Sequence, residues 1–157
     1  MTGEALFHQV LTSHDAALRR IARAYAGASD ETDDLYQDIL LQLWRSLPSF
    51  RGESAIGTWA YRVALNTALT WRRQARRREQ ATVTATERTT SGAPRDEVQL
   101  LEEFLQTLGP ADRSLLLLYM EGLASAAIAD VLGVSANVVS VRLHRIKQRL
   151  ERTYLRD

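Results

Sequence analysis

The chain has 157 residues, 45% of them hydrophobic and 25% charged, with 20 Lys+Arg against 19 Asp+Glu and a formal net charge of +1. That balance belongs to one ordinary globular domain or two small ones and excludes wholesale disorder. No cysteine is present, which excludes disulfides, thiolate metal sites and cysteine nucleophiles and fits a reducing cytoplasm.

The N-terminal segment MTGEALFHQV lacks a basic start and an apolar signal core, so secretion is not expected. Apolar spacing predicts a helix over 4–26. A second follows over 31–47, with Ser29 or Asp30 placed to cap it and Pro48 to stop it. A third is predicted over 55–79. Residues 80–95, QATVTATERTTSGAPR, are rich in Thr, Ser, Gly and Pro and show no apolar period, the composition of a flexible linker. Beyond it, helices are predicted over 96–108, 111–121, 124–132 and 136–152, with Pro110 suited to a first helical turn. Four consecutive leucines at 115–118 demand burial. Alternating strand patterns and hairpin turn signals are missing. The expected fold is all-α: two small helical domains, 1–79 and 96–157, joined by the linker. Each is small for a self-sufficient core, which suits docking on a larger partner. No run approaches the ~18 apolar residues of a membrane span, so direct membrane insertion is not expected either.

Charge is segregated along the chain. Between Ala24 and Trp44 lie five acids, Asp30, Glu31, Asp33, Asp34 and Asp38, and no base. Between Trp71 and Gln80 lie five arginines and one glutamate, and between Arg142 and Arg156 six bases and one acid. Separate acidic and basic patches imply more than one charged partner. Lys147 is the only lysine; arginine suits phosphate and base-edge recognition better than lysine does.

The segment SAAIADVLGVSANVVSVRLH, residues 125–144, has the spacing of a helix-turn-helix. Ala129 is small where two helices must cross closely. Gly133, four residues on, permits the positive φ of the tight turn. Ile128, Leu132 and Val139 supply contacts between the helices, and Val139, Leu143, Ile146 and Leu150 give the last helix its buried stripe. In such a motif the second helix enters the DNA major groove. Its outward face carries Asn137, Ser140, Val141, His144, Arg145 and Gln148. Asn137 and Gln148 can read base edges and Val141 can meet a thymine methyl. Arg142 and Arg145 suit phosphates. A plain helical hairpin with a solvated basic face is the alternative.

In helix 55–79, residues 100° apart place Ile56, Ala60, Val63, Ala64, Thr67 and Trp71 on the expected core side. Trp59, Arg62, Asn66, Thr70 and Arg73 form a neighbouring stripe. An aromatic, an amide and arginines in line provide stacking, edge contacts and phosphate pairing for single-stranded nucleic acid. Periodicity alone equally allows Trp59 and Tyr61 to be core residues.

Two stretches resemble the bacterial RNA polymerase sigma factors of the extracytoplasmic-function group, in the sigma-70 family. DDLYQDILLQLWRSLPSFRGESAIGTWAYRVALNTALTWRRQARR is similar to the group's region 2, and LGPADRSLLLLYMEGLASAAIADVLGVSANVVSVRLHRIKQRL to its region 4. The resemblance implies that helix 31–47 docks on the clamp helices of the polymerase β′ subunit. Asp34, Asp38, Leu41 and Arg45 lie on its outward face with Gln37 at the edge, and a leucine on an otherwise polar face fits a partner patch. It further implies that Asn66 engages an unstacked base of the promoter −10 element, beside a pocket to which Phe50, Arg51, Ser54, Trp59 and Arg62 belong. Arg72, Arg73, Arg76 and Arg77 would grip the promoter backbone. Region 4, through Ser135, Asn137, Val138, Ser140, Val141, Arg142, His144, Arg145 and Gln148, would read the −35 element and also dock on the polymerase β flap. Two readers on one tether gain affinity through effective concentration. An anti-sigma factor is a further implied partner.

The match has departures. Ala126 and Ala127 stand where members of the group usually carry acids. The recognition helix, commonly begun Gly-Thr-Val-Lys-Ser-Arg, reads Asn137, Val138, Val139, Ser140, Val141, Arg142. A threonine donor and a lysine are missing, which weakens phosphate binding and flattens its salt dependence. The competing function is a polymerase-independent helix-turn-helix regulator, for which the basic C-terminal half would suffice. An enzyme needs a carboxylate or histidine cluster at the DNA site. His8, His14 and His144 are scattered and the acids lie far in sequence from the arginines, so no catalytic role, cofactor, metal or small-molecule substrate is expected.

Overall fold

The computed structural model describes residues 2–27, 29–81 and 96–154. Seven α-helices and one short 3-10 turn make up the regular structure among them: α1 (Gly3–Ala26), α2 (Ser29–Ser46), the turn Leu47–Ser49, α3 (Ile56–Ala81), α4 (Glu97–Thr107), α5 (Pro110–Met120), α6 (Ser125–Leu132) and α7 (Ala136–Tyr154).

Local chemistry explains the boundaries. Thr2 caps α1 by accepting from the backbone N–H of Ala5 at 3.2 Å. Helix α2 begins at Ser29, so Asp30 and Glu31 fall within its first turn, where acids complement the helix dipole. Pro48 lies in the 3-10 turn that ends the run. Asp96 and Gln99 form a reciprocal capping box at the start of α4. Pro110 opens α5, where its missing N–H costs no intrahelical bond. The sequence-predicted linker 80–95 has its first two residues in the last turn of α3, and 82–95 lie outside the described residues.

Helices α1, α2 and α3 pack on one another, and α5, α6 and α7 form a second group, with α4 resting on α5 and α1. Leu35, Ile39 and Leu43, spaced by four, form the inner face of α2 and are buried in the same core as Leu18, Ile21 and Ala22 of α1, on which α2 packs. Each fully buried Leu or Ile contributes about 1.5–3 kcal/mol of transfer free energy. The four leucines at 115–118 are all buried. The two groups do not stand apart, because α1 and α3 also touch α5, and α3 touches α6.

At that junction the Tyr25 hydroxyl donates to the Pro110 carbonyl at 2.9 Å and hydrogen-bonds Ser114 Oγ. Arg113, 1% exposed, donates to the carbonyls of Leu105, Leu108 and Gln106 and, through Nη1 at 3.1 Å, to Ala24 O. Gln106 Nε2 donates to the same Ala24 oxygen at 2.8 Å. A cation and an amide thus satisfy a carbonyl in the last turn of α1, at the negative end of its dipole.

Candidate nucleic-acid interface

The core face of α3 is Ala60, Tyr61, Ala64, Leu65 and Ala68, all buried. It is rotated by ~80° from the face that periodicity suggested; Ile56, Val63, Thr67 and Trp71 are only half-buried. The rotation has a physical cause. Helix α3 is gripped by both α1 and α2, and Tyr61, whose hydroxyl meets His14 Nδ1 at 3.0 Å, is drawn inward. The result places the opposite stripe outward: Asn66, Thr70 and Arg73 are exposed and Arg62 is half-buried.

Trp59 departs from that stripe. It is only 9% exposed because Phe50, in the loop before α3, lies against it with ring centroids 5.2 Å apart. The loop bends back at Gly52, whose φ of 74° favours glycine. Ser54 is half-buried and Arg51 exposed in the same loop. An aromatic pair, Trp59 buried and Phe50 half-buried, therefore sits at the head of the stripe, with the exposed amide of Asn66 two turns further along. Beyond it Arg73, Arg76, Arg77 and Arg78 are exposed, and Arg72 is half-buried. Arg62 is engaged from another element: its Nη2 donates to the carbonyl and to the carboxylate of Asp130, on α6, at 3.1 Å each.

On α2, Asp34, Gln37, Asp38, Leu41 and Arg45 are all exposed. Leu41 is 43% exposed and Trp44, on the same face, 49%. Trp44 escaped the sequence reading although its i+3 spacing from Leu41 continues the acidic face. Phe7 of α1 meets it edge-on, centroids 5.3 Å apart. The outward face of α2 thus exposes an apolar pair set among carboxylates.

Helices α6 and α7 diverge by 104° across their turn, within the range of helix-turn-helix pairs. Gly133 adopts φ 70°, and its N–H and that of Val134 both bond to Ala129 O, closing α6. Ile128, Ala129, Val139, Leu143 and Ile146 are buried as the spacing predicts, and Leu132 and Leu150 partly so. Ser135 caps α7 by accepting from the Val138 N–H at 3.2 Å; its hydroxyl is engaged in the turn and Val138 is half-buried. Asn137, Ser140, Val141, His144, Arg145 and Gln148 are exposed and Arg142 is half-buried. Arg142 and Arg145 border a shallow hollow with residues Gly109 and Pro110 at the start of α5.

This geometry has known counterparts. The family model described as Sigma-70 region 2 matches residues 10–78, and the model Sigma-70, region 4 matches residues 99–150. The ECF RNA polymerase sigma factor SigL of Mycobacterium tuberculosis is 30% identical over 149 residues, covering 89% of this chain and 84% of that protein. The chain belongs to the extracytoplasmic-function (ECF) sigma factors. SigM of the same species is 28% identical over 148 residues, covering 93% and 76% of the two chains. The RNA polymerase sigma factor YlaC of Bacillus subtilis is 30% identical over 129 residues, covering 76% and 75%. In fold, the chain is similar to the sigma factor RpoE in its complex with the anti-sigma factor NepR from Bartonella quintana. That match has a TM-score of 0.76 at 22% identity and covers 93% of this chain and 94% of the other. CnrH, in complex with the cytosolic domain of CnrY, gives a TM-score of 0.67 at 24% identity, with 94% and 86% covered.

As an ECF sigma factor, the protein directs RNA polymerase to specific promoters and so initiates transcription. Sigma factors are generally non-enzymatic regulators. No single helix among the described residues is long and apolar enough to cross a membrane.

Proposed function

We propose that this sigma factor divides its work among three exposed surfaces. The α2 face of Asp34, Gln37, Asp38, Leu41 and Arg45 docks on the β′ clamp helices of core polymerase. The α3 stripe, led by Asn66 with Arg62 and Arg73 and backed by the Phe50–Trp59 pair, holds an unstacked −10 base and the adjoining backbone. The outer face of α7, Asn137, Ser140, Val141, His144, Arg145 and Gln148, meets the −35 element. Residues 1–79 form the docking and −10 unit, 80–95 the tether and 96–157 the −35 unit, which also meets the β flap. The protein acts in the cytoplasm without cofactor or catalysis, and an anti-sigma factor restrains it by covering these surfaces.

One observation carries the assignment: Asn66 is exposed on the side of α3 opposite the buried Ala64 and Ala68, in line with arginines. Extruding a base costs a few kcal/mol, which an edge contact from an amide, together with arginine contacts to the neighbouring phosphates, offsets. The test is run-off transcription with purified core polymerase on DNA from the gene's own neighbourhood. The parent protein is expected to give a defined transcript and Asn66→Ala to lose most of it. Equal transcript from Asn66→Ala sinks the −10 assignment. Unimpaired core binding by Asp34→Ala with Leu41→Ala sinks the docking assignment and returns the reading to a polymerase-independent regulator.

A further inference from the structure

The start of α7 differs chemically from the rest of the helix. Residues 136–141, ANVVSV, hold no charged side chain, whereas Arg142, Arg145, Lys147, Arg149 and Arg152 follow. Two of those bases turn to the protein body. Lys147 lies over the Tyr119 ring, 4.6 Å from its centroid, and Arg149 Nη2 donates to Thr107 O at 3.4 Å. Arg142 and Arg145, beside the hollow at the start of α5, are the pair placed to hold phosphates in register with the helix tip.

In a helix-turn-helix the N-terminal part of the second helix meets the base edges. Guanine there asks for Arg or Lys, and cytosine for Asp or Glu. The tip supplies neither. Adenine asks for Asn or Gln, and thymine for an apolar group against its methyl. The tip presents Asn137 and Val141, both exposed, Val141 by 43%. Val139 and Leu143 are buried on the opposite side of the helix, so neither side chain turns inward without unpacking it. A spacing of four residues sets the two on one face, separated by a rise of ~6 Å. That is just under two base steps of about 3.4 Å. Both residues stand where the family's common pattern has something else, glycine at 137 and serine at 141.

We propose that the tip of α7 reads A·T base pairs directly in the major groove, about two steps apart. Asn137 pairs with N6 and N7 of adenine, and Val141 packs on the C5-methyl of thymine. Arg142 and Arg145 fix the register from the backbone. The upstream element of this protein's promoters therefore carries an adenine and a thymine where the helix tip enters, in place of a G·C step. The proposal deepens the assignment of α7 to the −35 element and rests on it.

Holoenzyme formed with purified core polymerase is used to select from a random duplex pool, in parallel with holoenzyme carrying Asn137→Ala with Val141→Ala. The element enriched by the parent and not by the double variant is the one that α7 reads. It is expected to hold adenine and thymine at two nearby positions. Analogue duplexes then change single groups within it. An adenine replaced by 7-deazaadenine, which lacks N7, is expected to weaken parent binding by about fivefold and to leave Asn137→Ala unaffected. Deoxyuridine in place of thymidine removes only the methyl. It is expected to weaken the parent by about fourfold and to leave Val141→Ala unaffected. The parent's response to each analogue needs no substitution in the protein. Guanine or cytosine at the enriched positions, or full parent affinity for either analogue duplex, overturns the proposal. So does a selection that the double variant leaves unchanged. A holoenzyme equally indifferent to Arg142→Ala with Arg145→Ala takes α7 off the DNA, and with it the −35 reading, a failure that the other outcomes do not produce.

Discussion

Phe50 covers Trp59, ring centroids 5.2 Å apart and planes tilted by 48°, so the indole is structural on one side while it borders the proposed base pocket on the other. Two substitutions separate these roles. Trp59→Ala is expected to lower unfolding stability by about 3 kcal/mol, the cost of truncating a buried indole. Asn66→Ala, at an exposed position, is expected to change stability by no more than ~0.5 kcal/mol. In run-off transcription the asparagine variant is nevertheless expected to lose activity by about tenfold or more, the worth of a lost base-edge contact. Urea denaturation and transcription on the same two proteins check the pair. A stable, fully active Trp59→Ala protein contradicts the packing described here.

Leu41 and Trp44 expose apolar surface between Asp38 and Arg45. Truncating either to alanine is expected to weaken binding to core polymerase by about tenfold. Leu41→Ala is expected to leave thermal stability nearly unchanged. Trp44→Ala gives up its edge contact with Phe7 and is expected to lose somewhat more. Fluorescence-detected titration of core polymerase with each variant measures the first effect and thermal melting the second. Full affinity in both variants would remove the apolar pair from the docking face.

Asp15 accepts hydrogen bonds from the Tyr36 hydroxyl and from Arg19 Nε. Its carboxyl is held below its ordinary value, first by the Tyr36 bond and then by Arg19. A depressed folded-state value means that the unfolded chain binds the proton first. The contribution is therefore present above the ordinary carboxylate pKa of about 3.9 and is lost as pH falls through the lower, folded-state value. Tyr36→Phe keeps the aromatic ring under Arg19, whose guanidinium lies 4.2 Å from its centroid, and removes the larger bond. Parent and variant are expected to differ in denaturation midpoint at neutral pH, the difference shrinking once pH falls below about 4 and vanishing below the folded-state value. A difference that stays constant through that window contradicts the linkage.

What could be read in advance follows from the range of the interactions. The helix-turn-helix was legible because its signals are local. Ala129, Gly133 and Val139 lie within eleven residues, and their spacing alone fixes a close crossing, a left-handed turn and a buried contact. The leucine run and the outward face of α2 were legible for the same reason. Trp59 was not, since its burial comes from Phe50 in a folded-back loop and not from the helix's own period. The junction was the least legible. Arg113 reads in sequence as one more basic residue in a first helical turn. Its partner Ala24 O is a backbone atom 89 positions away, and no periodicity carries that pairing.

The exposed face of α7 carries serine at position 140, where the family's common pattern has lysine, so one phosphate contact is expected to be missing from −35 binding. Ser140→Lys in the full chain is expected to tighten binding to a duplex bearing an ordinary −35 consensus. It should also steepen the slope of log K against log salt by about 0.9, the release of one counterion. Ser140 is exposed, so the lysine fits without repacking. Val138→Thr is expected to do less, because Val138 is half-buried against the turn where its N–H bonds Ser135. The parent protein should bind that duplex weakly and with a shallow salt slope, and promoter choice then leans on the α3 stripe. Electrophoretic shifts at several salt concentrations measure all three proteins. Tight binding by the parent, with a slope equal to that of Ser140→Lys, would show that Arg142, Arg145 and their neighbours already supply the contacts that the altered helix start lacks.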